Sequence, residues 1–272
     1  LASSALAWNL AVADWLLGER LRPEVRSLLR ENVERRVLNP FRTMIRGERE
    51  PDHWLSVKNN WNAVCLAGVV GAALVEIEPA AERAEVVAAA EKLIGHFLDG
   101  FTSDGYCSEG VGYWNYGFGH FALLSETLRG ATGGQIDLLA QPRAHSPARY
   151  ASRIEIINGV YPAFADCHVL ARPDAALMWL LNRRLGIGAG APVELHWPAT
   201  LATLPEAMLY AAAASGDAAG PSPTSAPATF TGRQTSCPPR IDGVIIGPQQ
   251  PGVEFQTMCP PSATVPAVGT SG

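Results

Sequence analysis

With 272 residues, 47% of them hydrophobic and 17% charged, the chain is long enough for one large domain or two small ones. Its net charge of −5 supplies no basic field for nucleic acid, although a local cluster of arginines in an acidic protein can still serve a polyanionic ligand. The five cysteines (Cys65, Cys107, Cys167, Cys237, Cys259) form no C-x-x-C pair, against a zinc ribbon or thioredoxin motif. Their odd number and wide spacing argue against a disulfide framework.

In chain order, residues 3–17 put Leu6, Leu10, Val12, Ala13, Leu16 and Leu17 mostly on one helical face, with Gly18 as the stop. Asn9, Asp14 and Glu19 interrupt this most apolar stretch, so no run reaches membrane-spanning length. Because residue 1 is Leu and the chain opens directly on a helix, a fragment boundary is expected there. A second helix opens on Pro23 and runs to about residue 37 on a stripe of Val25, Leu28, Leu29, Val33 and Val37, closed by Asn39-Pro40. Arg26, Arg30, Arg35 and Arg36 are expected on its solvated side.

An irregular connection, 41–60, carries His53, Trp54 and Lys58. Residues 61–77 read as a buried helix so rich in Ala and Gly that a neighbouring backbone must come close. Residues 79–97 form an amphipathic helix on Val86, Ala90, Leu93 and Phe97. The stretch 104–121, DGYCSEGVGYWNYGFGHF, mixes five glycines with seven aromatics and His120 among them, a pattern expected of neither helix nor strand. Another helix follows over 118–129, ended by Gly130, Gly133 and Gly134. Residues 135–172 are mixed, with 153–160 as a short strand or loop. Further helices are expected from Pro173 to Gly186 and over 205–214.

Helix following helix predicts an all-α fold of stacked antiparallel hairpins over 1–214. Beyond residue 215 the character changes: ten of the 21 prolines fall between Pro221 and Pro266. That composition predicts a disordered tail over 215–272. A shifted reading frame would produce the same switch, and one uninterrupted coding frame would exclude it.

Three constellations carry candidate chemistry. Asn59, Asn60 and Asn62 surround Trp61 at a helix start; any one of them is an ordinary N-cap, but three exceed what capping needs. Tyr113 and Tyr116 lie near Glu109 and His120, and a tyrosine transfers protons when its surroundings tune the phenol; for an isolated buried Tyr a packing role is the more common one. In 164–168, FADCH, Asp166 and His168 share a face if the segment is extended, whereas Cys167 reads as a small buried residue. Asp104, Glu109 and Asp166 supply carboxylates for a glycosidase, but no spacing singles out a pair.

Taken together, NNWNAVC with Ala67-Gly68, Asp104-Gly105, EGVGYWNYG over 109–117 and FADC over 164–167 resemble the heparinase II/III family of polysaccharide lyases, across residues 1–200. The resemblance implies an (α/α) toroid, expected here to be incomplete, followed in complete members by a β-sandwich that is not expected within this sequence. It implies an acidic polysaccharide substrate cleaved by β-elimination and a periplasmic or secreted location. No cofactor or metal is expected in this stretch, since the metal of some relatives sits in the β-sandwich. By the same resemblance Asn60 and Asn62 neutralise the uronate carboxylate. Tyr116, with Tyr113 as the alternative, transfers the proton. Trp61 and Trp114 stack on sugar rings, Asn59 and Glu109 contact substrate, and His168 assists as acid or base. The chain departs from the family pattern in having Trp61 where many members have His. A glycoside hydrolase on the same architecture and a non-catalytic glycan-binding or biosynthetic protein are the alternatives.

Overall fold

The structure, a computed structural model, describes residues 1–187, 200 and 203–215, together with residues 240–241 and 244–245. The described chain is mostly helical. Apart from an antiparallel pairing of Arg240–Ile241 with Val244–Ile245, the expected tail lies outside the described residues.

Helix α1, Ala2–Leu17, ends on Gly18 as expected, but its inward face differs from the leucine stripe. Leu6 and Leu17 are exposed, while Ser4, Ala7, Trp8, Ala11, Val12 and Asp14 are buried. The cause is the helix it meets. Helix α1 packs most extensively on the later Ala/Gly-rich helix, where a Cβ on Gly68 would lie 2.4 Å from the Ser4 carbonyl carbon and one on Gly71 would lie 2.2 Å from the Trp8 indole. Small residues that permit this approach outrank leucines in choosing the face. Because the two contacts advance in step along both helices, the helices run parallel, and the chain between them must return.

That return is α2, Pro23–Val33, continued through a π-turn, Glu34–Leu38, into α3, Asn39–Ile45. Asn39-Pro40 therefore does not end the helix. A proline ring clashes with the carbonyl four residues earlier, and the wider π-turn just before it relieves that crowding. The expected stripe is only half right: Val33 and Val37 are buried, but Val25 and Leu28 are exposed. Arg26 is half-buried rather than on a solvated face, whereas Arg30 is exposed as expected. Their guanidinium groups donate to the buried Asp14 carboxylate at 2.6 and 2.8 Å, and Arg30 lies 3.5 Å from Glu76.

Helix α4, Asn60–Glu76, is buried nearly all round. Three residues connect it to α5, Ala80–Leu93, a linker too short for anything but an antiparallel hairpin. Arg83 seals the turn by donating to the Ile77 and Glu78 carbonyls, each at 2.7 Å. After α6, Gly95–Leu98, comes α7, Gly110–Ala131, the longest helix described. The glycine-aromatic stretch is thus helical from Gly110 onward, contrary to expectation. Its aromatics recur at helical spacing, so Trp114, Phe118 and Phe121 share one fully buried face and cluster with Phe97. That burial outweighs the weak helix propensity of the interspersed glycines.

Two short helices, α8, Pro142–Ala148, and α9, Tyr150–Arg153, lie in the mixed stretch 135–172, where no helix was expected. Residues 154–160 form a loop with a single Ile157–Val160 bridge. Helix α10, Ala175–Leu185, opens on Asp174, whose carboxylate accepts from the Ala176 and Leu177 amides, and stops at a left-handed Gly186. Helix α11, Leu204–Ala214, matches its expected bounds and packs against α1, α7 and α10. No described helix is long and apolar enough to cross a membrane.

Candidate functional site

The three asparagines at the start of α4 separate into three roles. Asn59 is the N-cap: its side-chain oxygen accepts from the Trp61 amide at 3.1 Å, which saturates one of the orphan amides of the first turn. Asn62 is fully buried, and its Nδ2 donates to the Trp54 and Leu55 carbonyls at 3.2 and 3.0 Å. It pins the short 3₁₀ helix His53–Leu55 to α4 and is not among the residues lining the cavity that Asn60 borders. Asn60 alone points its amide at a functional group, donating to Glu109 Oε2 at 3.4 Å. Trp61 is exposed and leans on His53, with ring centroids 5.1 Å apart.

Along α7 the helical period sorts the candidates in the same way. Trp114 is completely buried, donates its indole N–H to the Pro147 carbonyl at 2.9 Å and stacks on Phe118 at 5.5 Å. It is a core plug and offers no face to a sugar. Tyr113, Tyr116 and His120 follow one another at spacings of three and four on a less buried face. Tyr116 is 41% exposed and meets His120 edge-on at 4.9 Å. The His120 Nδ1 lies 2.7 Å from the Tyr116 carbonyl, and burial holds its imidazole below the usual range. Burial, then Cys65 and Tyr113, push the Tyr116 phenol up, which suits a proton donor better than a base. Gly117 makes the whole arrangement possible, since a Cβ there would sit 3.0 Å from both Asn60 Cβ and Phe97.

The segment 164–168 lies directly over the start of α7. Gly110 has φ +82°, and a Cβ on it would be 2.7 Å from Cys167 Cβ, so only glycine admits this contact. Phe164 stacks on Tyr106 with centroids 5.8 Å apart. The segment brings Asp166 close enough to act on Glu109, whose carboxyl is pushed up first by burial and then by the Asp166 charge, against a lowering by the Asn60 amide. His168 is exposed on this loop.

Only some of these groups border one cavity of about 270 Å³, lined by Lys58, Asn59, Asn60, Phe97, Gly100, Phe101, Cys107, Ser108, Glu109 and Tyr113. Of the sequence candidates, Asn59, Asn60, Glu109 and Tyr113 line it. Tyr116, Trp61 and His168 lie outside its lining, and Asn62 and Trp114 are in the core. The cavity borders the first residues of α4 and the N-cap of α7, through Asn59, Asn60, Ser108 and Glu109. Lys58, Phe97, Gly100 and Phe101 were not expected as lining. Lys58 directly precedes the asparagines, but nothing in the sequence brings the turn after α6 against it. Among the described residues no group of three His, Cys, Asp or Glu could hold a metal ion. Comparison with family models and with curated proteins gives no match.

Proposed function

We propose that this protein is a polysaccharide lyase that cleaves a uronic-acid-containing glycan by β-elimination, with its helical hairpins forming part of an (α/α) toroid. One observation carries the reading: an asparagine amide already engaged with a carboxylate, a tyrosine and a lysine surround one cavity at two helix N-termini. Elimination removes the proton alpha to the uronate carboxylate, so negative charge builds on that carboxylate. Hydrogen-bond donors aimed at it stabilise the transition state. Asn60 is such a donor, and its amide at 3.4 Å from the Glu109 carboxylate supports that role.

Tyr113 is the proton-transfer residue in this reading, because it lines the same cavity as Asn60. Tyr116, one turn further along α7, serves as a donor from the rim if the leaving oxygen lies on that side. The parallel course of α1 and α4, with a returning helical segment between them, is the local pattern a toroid repeats, and it supports the architectural half of the proposal.

The test is conjugated-alkene absorbance from the purified protein on heparin, heparan sulfate, alginate and hyaluronan. Tyr113→Phe is expected to lower turnover by at least about a hundredfold, the usual scale for a proton-transfer group, with substrate binding retained. Full activity in that variant with loss in Tyr116→Phe moves the role to Tyr116. No alkene from any of the four glycans overturns the lyase reading.

A specific observation favours a second reading, glycoside hydrolysis. Glu109 is a raised carboxyl beside a second carboxylate, Asp166, the environment of a general acid paired with a base or nucleophile. Hydrolysis yields a saturated sugar and no alkene. Saturable binding with neither product would identify a glycan-binding protein.

A further inference from the structure

A second cavity of about 570 Å³ adjoins the first and shares Lys58 and Phe101 with it. Its far side carries Asp99, Arg143 and the hydroxyl residues Thr102, Ser103 and Ser146. The boundary between the two cavities is built by a close approach that the sequence pattern alone does not reveal. A Cβ on Gly100 would lie 1.9 Å from the Lys58 carbonyl oxygen, so the turn after α6 lies directly on the residues preceding α4. The far wall depends on a similar contact: Gly105 has φ +89°, and a Cβ there would lie 2.2 Å from the Ser146 carbonyl oxygen. Any side chain at either glycine would push the walls apart.

The charges along this path differ from those of the molecule as a whole. Lys58 is exposed and makes no ion pair among the described residues. Arg143 is tethered at its position: it donates to the Gly95 carbonyl at 2.9 Å and pairs with Asp99. With Asp99 paired to Arg143, Lys58 is the one charged residue of the second cavity's lining left without a partner among the described residues, in a chain of net charge −5, while the Asp104 carboxylate borders it through the Thr102 hydroxyl. Hydroxyls, a phenyl ring and an unpaired ammonium form a surface for a polar ring bearing an anionic group.

We propose that the two cavities form one continuous groove, in which the first holds the sugar at the reacting bond and the second holds the adjoining sugar, its carboxylate or sulfate read by Lys58 and Arg143. This deepens the lyase reading and rests on it for the identity of the first cavity. It makes Lys58 a specificity-determining residue that selects acidic glycans over neutral ones without taking part in the chemistry. Arg143 contributes less, because its charge is already shared with Asp99.

The test is equilibrium binding of three hexasaccharides to the intact protein: alginate, with carboxylates only; heparan sulfate, with carboxylates and sulfates; and neutral cellohexaose. The acidic probes are expected to bind and the neutral one to bind more weakly. Lys58→Gln is expected to weaken the acidic probes roughly fivefold at low salt, the upper scale for one exposed charge pair, and to flatten the salt dependence of their binding. Arg46→Gln, at a surface pair with Glu85 away from the groove, controls for a general loss of charge and should change nothing. Preference for heparan sulfate over alginate identifies sulfate as the group read; equal affinity identifies the carboxylate. Either result supports the groove. Equal binding of cellohexaose, no binding of the acidic probes, or an unchanged affinity and salt slope in Lys58→Gln overturns it. The two readings fail separately. Lysine-dependent binding without alkene formation rejects the lyase and keeps the groove, whereas alkene formation indifferent to Lys58→Gln rejects the groove and keeps the lyase.

Discussion

Glu109 is the acidic side chain in the cavity lining. Its carboxylate accepts from Asn60 and stands where an acidic sugar would approach. Burial and Asp166 raise its pKa, so at pH values below that raised pKa it is protonated and no longer repels an anion. Affinity for an acidic oligosaccharide is therefore expected to rise as pH falls through the Glu109 titration. Glu109→Gln should bind severalfold more tightly at pH 8 and lose that pH dependence, as measured by titration calorimetry across the range. The same variant separates the two catalytic readings: a lyase using Asn60 and Tyr113 keeps turnover, and a hydrolase using Glu109 as general acid loses it. At this scale the residue types were legible but their roles were not. Asn59, Asn60 and Asn62 are chemically identical and span four positions, yet one caps a helix, one faces the cavity and one is spent on backbone carbonyls. Helical rotation of about 100° per residue separates them, and which direction is the cavity depends on the neighbouring elements.

Between elements, the decisive interaction is the contact of α1 with α4. Gly71→Ala would place a methyl 2.2 Å from the Trp8 indole and is expected to destabilise the protein by about 1–3 kcal/mol, the cost of overpacking a close interface. Gly130→Ala, in the last turn of α7 with nothing within 4 Å, should instead stabilise by roughly 0.5–1 kcal/mol through reduced backbone entropy of the unfolded chain. Denaturant unfolding of the two variants side by side measures both signs. The need for close approach at the Ala/Gly-rich helix could be read from its composition. The partner could not, because the leucines of α1 advertise a different face from the one that Ser4, Ala7 and Ala11 allow inward. Similarly, Pro40 announced a helix end, and only the preceding π-turn shows how the chain runs past it.

At the level of the whole molecule, α1, α2 and α4 are tied by an ionic cluster in which the buried carboxylates of Asp14 and Glu76 meet the half-buried Arg26 and the exposed Arg30. One oxygen of Glu76 and one terminal nitrogen of Arg26 have no hydrogen-bond partner there. Desolvation, followed by the Asp14 charge, pushes Glu76 up to about 7 against the attraction of Arg30 and Arg26. Because the folded state holds this proton more tightly than the unfolded state, the group's favourable contribution is present below the unfolded pKa near 4.5 and is lost as pH rises toward 7. Glu76→Gln is accordingly expected to stabilise the protein by on the order of 1–2 kcal/mol at pH 8 and to leave it little changed at pH 5, as read from thermal or denaturant unfolding at the two pH values. Stabilisation of equal size at both would refute the titration.

The sequence by itself determined that the chain is built from helices, where α1, α4, α10 and α11 begin and end, and which short stretches hold the polar and aromatic groups. Apolar periodicity, proline, glycine and capping residues act over a few positions, so that information is local. Only the tertiary structure decided which of those groups share a cavity. Asn60, Tyr113 and Lys58 meet because Gly100 and Gly117 let α4, α7 and the turn after α6 come into contact. Trp114 and Asn62 turn inward for the complementary reason, since each finds its hydrogen-bond acceptor in the core. Such choices depend on surfaces distant in the chain, and no local pattern encodes them.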